Sequence, residues 1–555
     1  MKISISDFLL RRLKEVNVNY LFGIPGDYVL PFFDVLLDGD HGVKHIGVTN
    51  ELNGAYNADG YSKINGFGAV AVTHGPGALN TTNAVAGAYA DDIPLIVIAG
   101  SPKTEVFNTP SDKLYHHVLG TDLDATLRLF DQITIKSKRL MRSEDAITMI
   151  DDLIRTSLCY KKPVYIELPY DLQSKEIEWD GNPINLMQGQ SNKLNLVACL
   201  KQLSVMLTKS KTRNALVGHL VQREYLEKDV LSLIEEIGAT VATSFVGKNG
   251  SFERLDCSVG FYMGAMSTEL CLNHVEKSDL TLKIGVTNNE FDTGIFSGNI
   301  KNGVDFLQSK VIIGDKTYEN VFLRDIIPAL VKQEKHNIYD FPLIKEEKRF
   351  YYDVCEKVVP TDDPITIDRL MLMFAHYFDK GDVFFGEVGG YINCSQIGFP
   401  PNTIIQGNGN WASLGSGFGT LVGATFADIK NRRVIGVLGD GGFQMTAQEM
   451  STLIAHDKNI VLYVLNNKGY AAERAIHKDV YRSYNDIQVW NYHLLPIAFG
   501  AHENNAKGFE VYTENEMKTV LNLMKKPKGL NVVNIHLDPN DLASFNVAFS
   551  EKLRH

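Results

Sequence analysis

The sequence predicts an α/β protein of three tandem doubly wound parallel-sheet domains, on three observations. Its 555 residues exceed what one hydrophobic core encloses and suggest roughly three domains of ~150–200 residues each. Short, continuously apolar runs of strand length alternate with helical stretches, the pattern of parallel strands covered on both faces. The alternation breaks at a polar stretch, 173–195, and a charged one, 332–349. The first reads as a linker and the second as the next boundary, and they set the blocks at 1–175, 190–335 and 350–555. No sequence repeat accompanies them; the repetition is architectural.

The first block opens on "MKISISDFLLRRLKEV", which lacks the continuous apolar core of a signal peptide. It predicts a helix starting near Ser6 or Asp7, with Leu9, Leu10, Leu13 and Val16 facing inward. "HIGV" then leads into "NELNGAYNADGYSK" and "GAVAVTHGPG" into "ALNTTNAVAGAYA", with "PLIVIAG" and "PVYIELP" to follow. The middle block offers "NALVG", "ATVATS", "LTLKIGV" and "KVIIG" as strands. The last block offers "DVFFGEVG", "RRVIGVLGDGG", "IVLYVLNN" and "LNVVNIHL". Open parallel sheets bind ligands beyond the carboxyl ends of their strands, so reactive residues are expected just after these runs.

Composition sets limits on partners and compartment. A chain 44% hydrophobic and 22% charged is ordinary for a soluble globular protein. The net charge of −11, with no run of Lys or Arg, argues against nucleic acid or an anionic membrane as partner. Six scattered cysteines with no C-x-x-C spacing read as reduced packing thiols. Runs such as "IPLIVIA" are too short to cross a bilayer. A cytoplasmic protein is expected.

"VLGDGGFQM" (437–445) runs from a strand into three glycines interrupted by Asp440. A glycine-rich turn there usually cradles phosphate, yet this one carries an anion. It is no Walker A loop, and Gln444 stands where G-x-G-x-x-G needs its third glycine. A diphosphate bridged to the protein by Mg²⁺ explains both features, since Mg²⁺ takes one or two carboxylates plus substrate phosphates. Asn467, 27 positions on at the tip of "VLYVLNNKGY", offers a second oxygen, and the Gly469 carbonyl a third. Taken singly, each piece is an ordinary turn.

Together, G-D-G and strand-N-N resemble the thiamine-diphosphate signature. The resemblance implies Asp440, Asn467 and Gly469 as Mg²⁺ ligands, with Gly441, Gly442 and Tyr470 also against the cofactor. It implies that Glu51, in "VTNELNGAYNADG", is the acid acting on the pyrimidine ring. By itself Glu51 is an acid favoured at a helix start. Leu414, in "NWASLGSGFG", stands for the apolar wedge that bends the cofactor.

Further segments resemble the 2-oxo acid decarboxylases of the pyruvate, indolepyruvate and branched-chain type, over the whole chain. These are Asp27 in "FGIPGDYVLPFFD", His116–His117 in "SDKLYHHVLG", Glu473 in "NNKGYAAERAIH", and "SYNDIQVWNYHLLPIAFGA". Adjacent histidines point apart on a helix and are poor partners for one metal. The resemblance instead implies that Asp27, His116, His117 and Glu473 form a proton relay, a task suited to groups titrating near neutrality.

The departures point elsewhere. "THGPGALN" and "GDGGFQM" look more like the acetolactate-synthase branch, His74 becomes a further candidate, and "GEVGGYIN" lacks the usual hydroxyl residue after the acid-x-Gly. Three functions therefore stand. The first is decarboxylation of a 2-oxo acid to an aldehyde and CO₂. The second is an acetolactate-synthase-like carboligase, and the third a catalytically silent thiamine-fold binding protein. Ala472 stands where pyruvate-preferring relatives carry a larger aliphatic residue. Ile476 shares its helical face, and Ile392 stands where some pyruvate enzymes carry a large aromatic. That pattern implies branched-chain, longer-chain or aromatic 2-oxo acids as substrates. Glu51 and Asp440 come from different subunits in such enzymes, which implies a homodimer or dimer of dimers.

Overall fold

The computed structural model describes residues 1–553 except 109–111, 187–188, 336–338, 341, 345–347, 478–479 and 503. Two of its sheets share one topology. The first has six parallel strands in the spatial order Lys44–Gly47, Tyr20–Gly23, Gly68–Val72, Leu95–Ser101, Val164–Pro169, Lys136–Arg139. The last has six in the order Ile404–Gln406, Val383–Gly386, Val434–Gly439, Ile460–Asn466, Leu530–His536, Ala506–Val511. Numbered by sequence within each block, both read 2-1-3-4-6-5. The order reverses between strands 1 and 3, so each sheet has a crevice there, beyond the carboxyl ends, where ligands bind.

The middle sheet differs. Its five parallel strands, Ser258–Tyr262, Thr240–Ser244, Arg213–Val217, Leu280–Ile284 and Gly303–Phe306, continue into antiparallel Lys310–Ile313 and Lys316–Glu319. "KVIIG" is thus a hairpin strand and not a parallel one, because the tight connections around it leave no room for a crossover helix.

The chain gathers into two compact units. One comprises Met1–Gly189, Phe418–Lys430 and Thr446–His456; the other comprises Gln190–Gly417, Asn431–Met445 and Asp457–His555. In the first, the opening helix is Ile5–Glu15, capped by Ser4, whose side chain accepts from the Asp7 N–H at 3.1 Å. Leu9, Leu10, Leu13 and Val16 are buried, in one core with Phe32, Ile96 and Ile166. The cap lies earlier than Ser6 because Lys2–Ser4 forms a strand, paired antiparallel with Glu176–Glu178. That pairing also puts a strand inside the polar stretch read as a linker.

In the second unit, Phe245, Phe261 and Met263 beside the middle sheet share one apolar cluster with Tyr391, Phe399 and Phe545. None of the six cysteines is in a disulfide, and Cys355 is exposed, so it is not a packing thiol. No helix among the described residues is long and apolar enough to cross a membrane.

Candidate active site

In the second unit, strand 3 of the last sheet ends at Gly439 and a helix, Asp440–Thr446, begins at once. The "GDGG" segment is therefore a helix start and not a free turn. Asp440 is 1% exposed. Its Oδ1 accepts the Gly441 N–H at 2.8 Å, while Oδ2 is buried with no hydrogen-bond partner. Burial pushes this carboxyl up to about 6, against the pull of the Gly441, Lys468 and Gly469 N–H groups.

Strand 4 ends at Asn466, and Asn467 follows. Its amide oxygen lies 2.7 Å from the Gly469 carbonyl oxygen and 3.3 Å from Asp440 Oδ1. Turned over, the amide NH₂ would donate to both acceptors; as placed, the oxygens converge, which becomes favourable around a cation. Mg²⁺ at ~2.1 Å from each ligand puts neighbouring oxygens about 3.0 Å apart. These residues fit the metal and could hold it. Arg474 secures the loop, donating to the carbonyls of Asn467 (2.9 Å) and Lys468 (2.9 Å).

Tyr470 packs its ring on Gly441, where a Cβ would lie 2.5 Å away. The helix Ala471–Ile476 follows, with Glu473 exposed in its first turn. A cavity of about 350 Å³ brings together Gly441, Gly442, Asn467, Gly469, Tyr470, Ala472, Glu473, Ile476, Ile392 and Leu414. Every site residue predicted for this part of the chain except Asp440 lines it. Tyr391 points away, its hydroxyl donating to Phe245 O at 2.8 Å.

Sequence reasoning missed three contributors. Asn546 and Phe549, on the C-terminal helix Ser544–Leu553, also line the cavity. Glu387 follows strand 1, is 3% exposed and accepts the Gly415 N–H. Its carboxyl lies 2.6 Å from where a Gly442 Cβ would be, and Oε2 has no partner. Burial pushes this acid up to about 8. An acid directly after an apolar strand was the signal for Glu387; the C-terminal helix offered none.

In the first unit, the crevice loops carry the other predicted residues. Asp27 opens a short 3₁₀ turn after strand 1. It is ion-paired with His116 Nε2, and His117 Nδ1 lies 3.8 Å from it. Burial, the largest influence, pushes the Asp27 carboxyl up. Hydrogen bonds from His116 and the Tyr28 N–H, with the charge of both histidines, outweigh it and carry the acid below its usual range. The Tyr28 ring stacks on His116 at 4.8 Å. The loop after strand 3 closes against this group: Gly75, at φ +63, has the His117 carbonyl where a Cβ would sit, so only glycine fits. His74 is 1% exposed, its Nδ1 without a hydrogen-bond partner, and burial pushes it down to about 4. The neutral ring packs edge-on to Tyr28, with centroids 6.2 Å apart.

Glu51 begins the helix Glu51–Asn65 after strand 2, capped by Asn50, whose side chain accepts the Asn53 N–H at 2.8 Å. Asn80 donates to Glu51 Oε2 at 2.8 Å and holds the carboxyl in place. The structure thus groups Asp27 with His116 and His117, and Asp440 with Asn467 and Gly469.

Two strand-end crevices, a buried carboxylate beside the Asn467 loop and an acid at a helix start suit a cofactor enzyme built on α/β domains. The family model of the thiamine pyrophosphate enzyme N-terminal TPP binding domain matches residues 3–126, and the C-terminal TPP binding domain model matches 390–535. The chain is 31% identical to a pyruvate decarboxylase of Aspergillus fumigatus, over 93% of this chain and 90% of that one. It is 30% identical to pyruvate decarboxylase isozyme 3 of Saccharomyces cerevisiae (91% and 90%) and 31% identical to pyruvate decarboxylase 2 of Arabidopsis thaliana (94% and 85%). The chain belongs to the thiamine-diphosphate-dependent 2-oxo acid decarboxylases. It is a carboxy-lyase, and thiamine diphosphate is its cofactor.

Proposed function

We propose that this decarboxylase prefers branched-chain, longer-chain or aromatic 2-oxo acids over pyruvate and releases the corresponding aldehyde and CO₂. The observation that carries the proposal is the cavity wall: Ala472, Ile476 and Ile392 line the space that also holds Asn467 and Gly469. A small residue at 472 leaves room beside Glu473 for a substrate side chain. Each methylene that fills such room contributes roughly 0.8 kcal/mol, so two trims can favour a bulkier acid by several-fold to about a hundredfold.

Bound thiamine diphosphate supplies a nucleophilic carbon and an electron sink for the departing carboxylate. Asp440, Asn467 and the Gly469 carbonyl would hold Mg²⁺. Leu414 would support the cofactor from the cavity wall, and Glu51 would hold a proton at the pyrimidine ring. Asp27, His116, His117 and Glu473 move protons to and from the reacting carbon and its hydroxyl. The cysteines, none in a disulfide and most of them buried, suit a reducing cytoplasm. The active unit is at least a homodimer, as the family likeness suggests; a fully active monomer seen by light scattering at assay concentration would contradict that.

The test is kcat/KM for pyruvate, 2-oxoisovalerate, 4-methyl-2-oxopentanoate and phenylpyruvate, with aldehyde and acetolactate both assayed. A bulky acid should lead, and Ala472→Ile should return preference toward pyruvate. A clear lead for pyruvate rejects the enlarged pocket.

A further inference from the structure

Glu449 is fully buried, nearly 400 positions from the residues it holds. Its Oε2 accepts both the Thr49 N–H (3.1 Å) and the Thr49 hydroxyl (2.6 Å), and its Oε1 accepts the Asn57 amide at 2.7 Å. Thr49 Oγ1 accepts in turn from Asn53 Nδ2 at 2.8 Å. These bonds bracket Glu51: Thr49 lies just before the helix Glu51–Asn65, and Asn57 lies two turns along it. Asn50 and Asn80 fix the first turn and the carboxyl. Among the described residues, Glu449 ties the backbone entering that turn to Asn57, deeper in the helix.

We infer that Glu449 is a positioning residue for Glu51, setting the height and direction at which its carboxyl is presented. The inference rests on the reading of Glu51 as the acid at the pyrimidine ring. Losing the clamp frees the 49–53 turn, and a misplacement of about 1 Å costs up to ~10²-fold in a reaction that depends on proton geometry. Glutamine can preserve the clamp. Its oxygen serves Thr49, and its NH₂ meets the Asn57 side chain turned over, whose Oδ1 is now buried without a partner.

The test uses the full-length protein with Glu449→Ala, Glu449→Gln, Thr49→Val and Glu51→Gln. One readout is deuterium exchange at C2–H of bound thiamine diphosphate, followed by NMR without substrate. A second is the cofactor Kd, and a third is amide exchange of residues 48–53 in cofactor-free protein. Glu449→Ala should slow C2 exchange at least about tenfold, leave Kd within about threefold, and speed amide exchange at 48–53. Glu449→Gln should stay within about threefold of wild type on every readout. Thr49→Val, a change at an exposed residue that should leave folding intact, should fall between them. Normal C2 exchange in Glu449→Ala or in Thr49→Val, beside its loss in Glu51→Gln, overturns this inference alone. Equal loss in Glu449→Ala and Glu449→Gln with unaltered amide exchange overturns it as well. Normal exchange in Glu51→Gln overturns the role of Glu51 and this inference with it.

Discussion

In the first six-stranded sheet the loop after strand 1 carries Asp27; in the last, the equivalent loop carries Glu387. Both follow the leading strand of a 2-1-3-4-6-5 sheet, at the crevice where ligands bind. Asp27 has a side chain 50% exposed and a histidine on each oxygen, and it stays ionised. Glu387 is buried, has one backbone N–H and no cation, and keeps its proton near neutral pH. One topology therefore presents an anion at one crevice and a neutral acid at the other. The strand order chooses where a carboxyl stands; its neighbours choose its charge.

The contrast can be broken in several places. The largest effect is expected at the diphosphate crevice. Asp440→Ala removes the charged member of the oxygen set and should weaken Mg²⁺-dependent cofactor binding by at least about a hundredfold, read by isothermal titration. Unchanged affinity would show that the convergent oxygens hold no metal. Glu51→Gln should keep the cofactor within a few-fold of its normal Kd and lower kcat by about 10²–10⁴. A variant that turned over normally would remove Glu51 from the chemistry.

Neutralising each crevice acid sharpens the comparison directly. Asp27→Asn deletes a charge and should cost about 10²-fold or more in kcat. Glu387→Gln replaces one neutral group by another and should cost little. Equal losses would mean that the two acids share a charge state.

The smallest effect is on stability. Folded Glu387 keeps its proton up to about pH 8, from an ordinary value of 4.5. Between those values the native state binds more protons than the unfolded chain, so stability falls as pH rises through the window. Thermal midpoints should decline more from pH 5 to 8 in wild type than in Glu387→Gln. Parallel curves would contradict the burial argument.

Much of this was legible in the sequence because it is local. Strands such as Val434–Gly439 and Ile460–Asn466 are unbroken apolar runs, and Asp440 and Asn467 follow them immediately. What escaped notice depends on distant partners. Glu176–Glu178 is polar and becomes a strand only because Lys2–Ser4 pairs with it. Lys310–Ile313 looks like any parallel strand until its neighbours turn back on it. Glu449 and Glu387 differ from surface acids only in what surrounds them. Phe549 reaches the cavity through the path of the whole last domain, which no periodicity reports.

The helix that presents Glu51 has glycine contacts with a consequence of its own. A Cβ on Gly60 would fall 1.8 Å from Thr420 O, on the helix Ser416–Ala424, and one on Gly423 of that helix would fall 1.9 Å from Asn57 O. Backbone meets backbone at both points, so neither helix can take a larger residue there or slide past the other. Mutational drift therefore finds no small steps at the Glu51 end of the machinery. Ala472 and Ile392 line the cavity instead, where a side chain can change size without meeting backbone. On the proposed reading, side chains on that wall can change one at a time while Glu51 keeps its place.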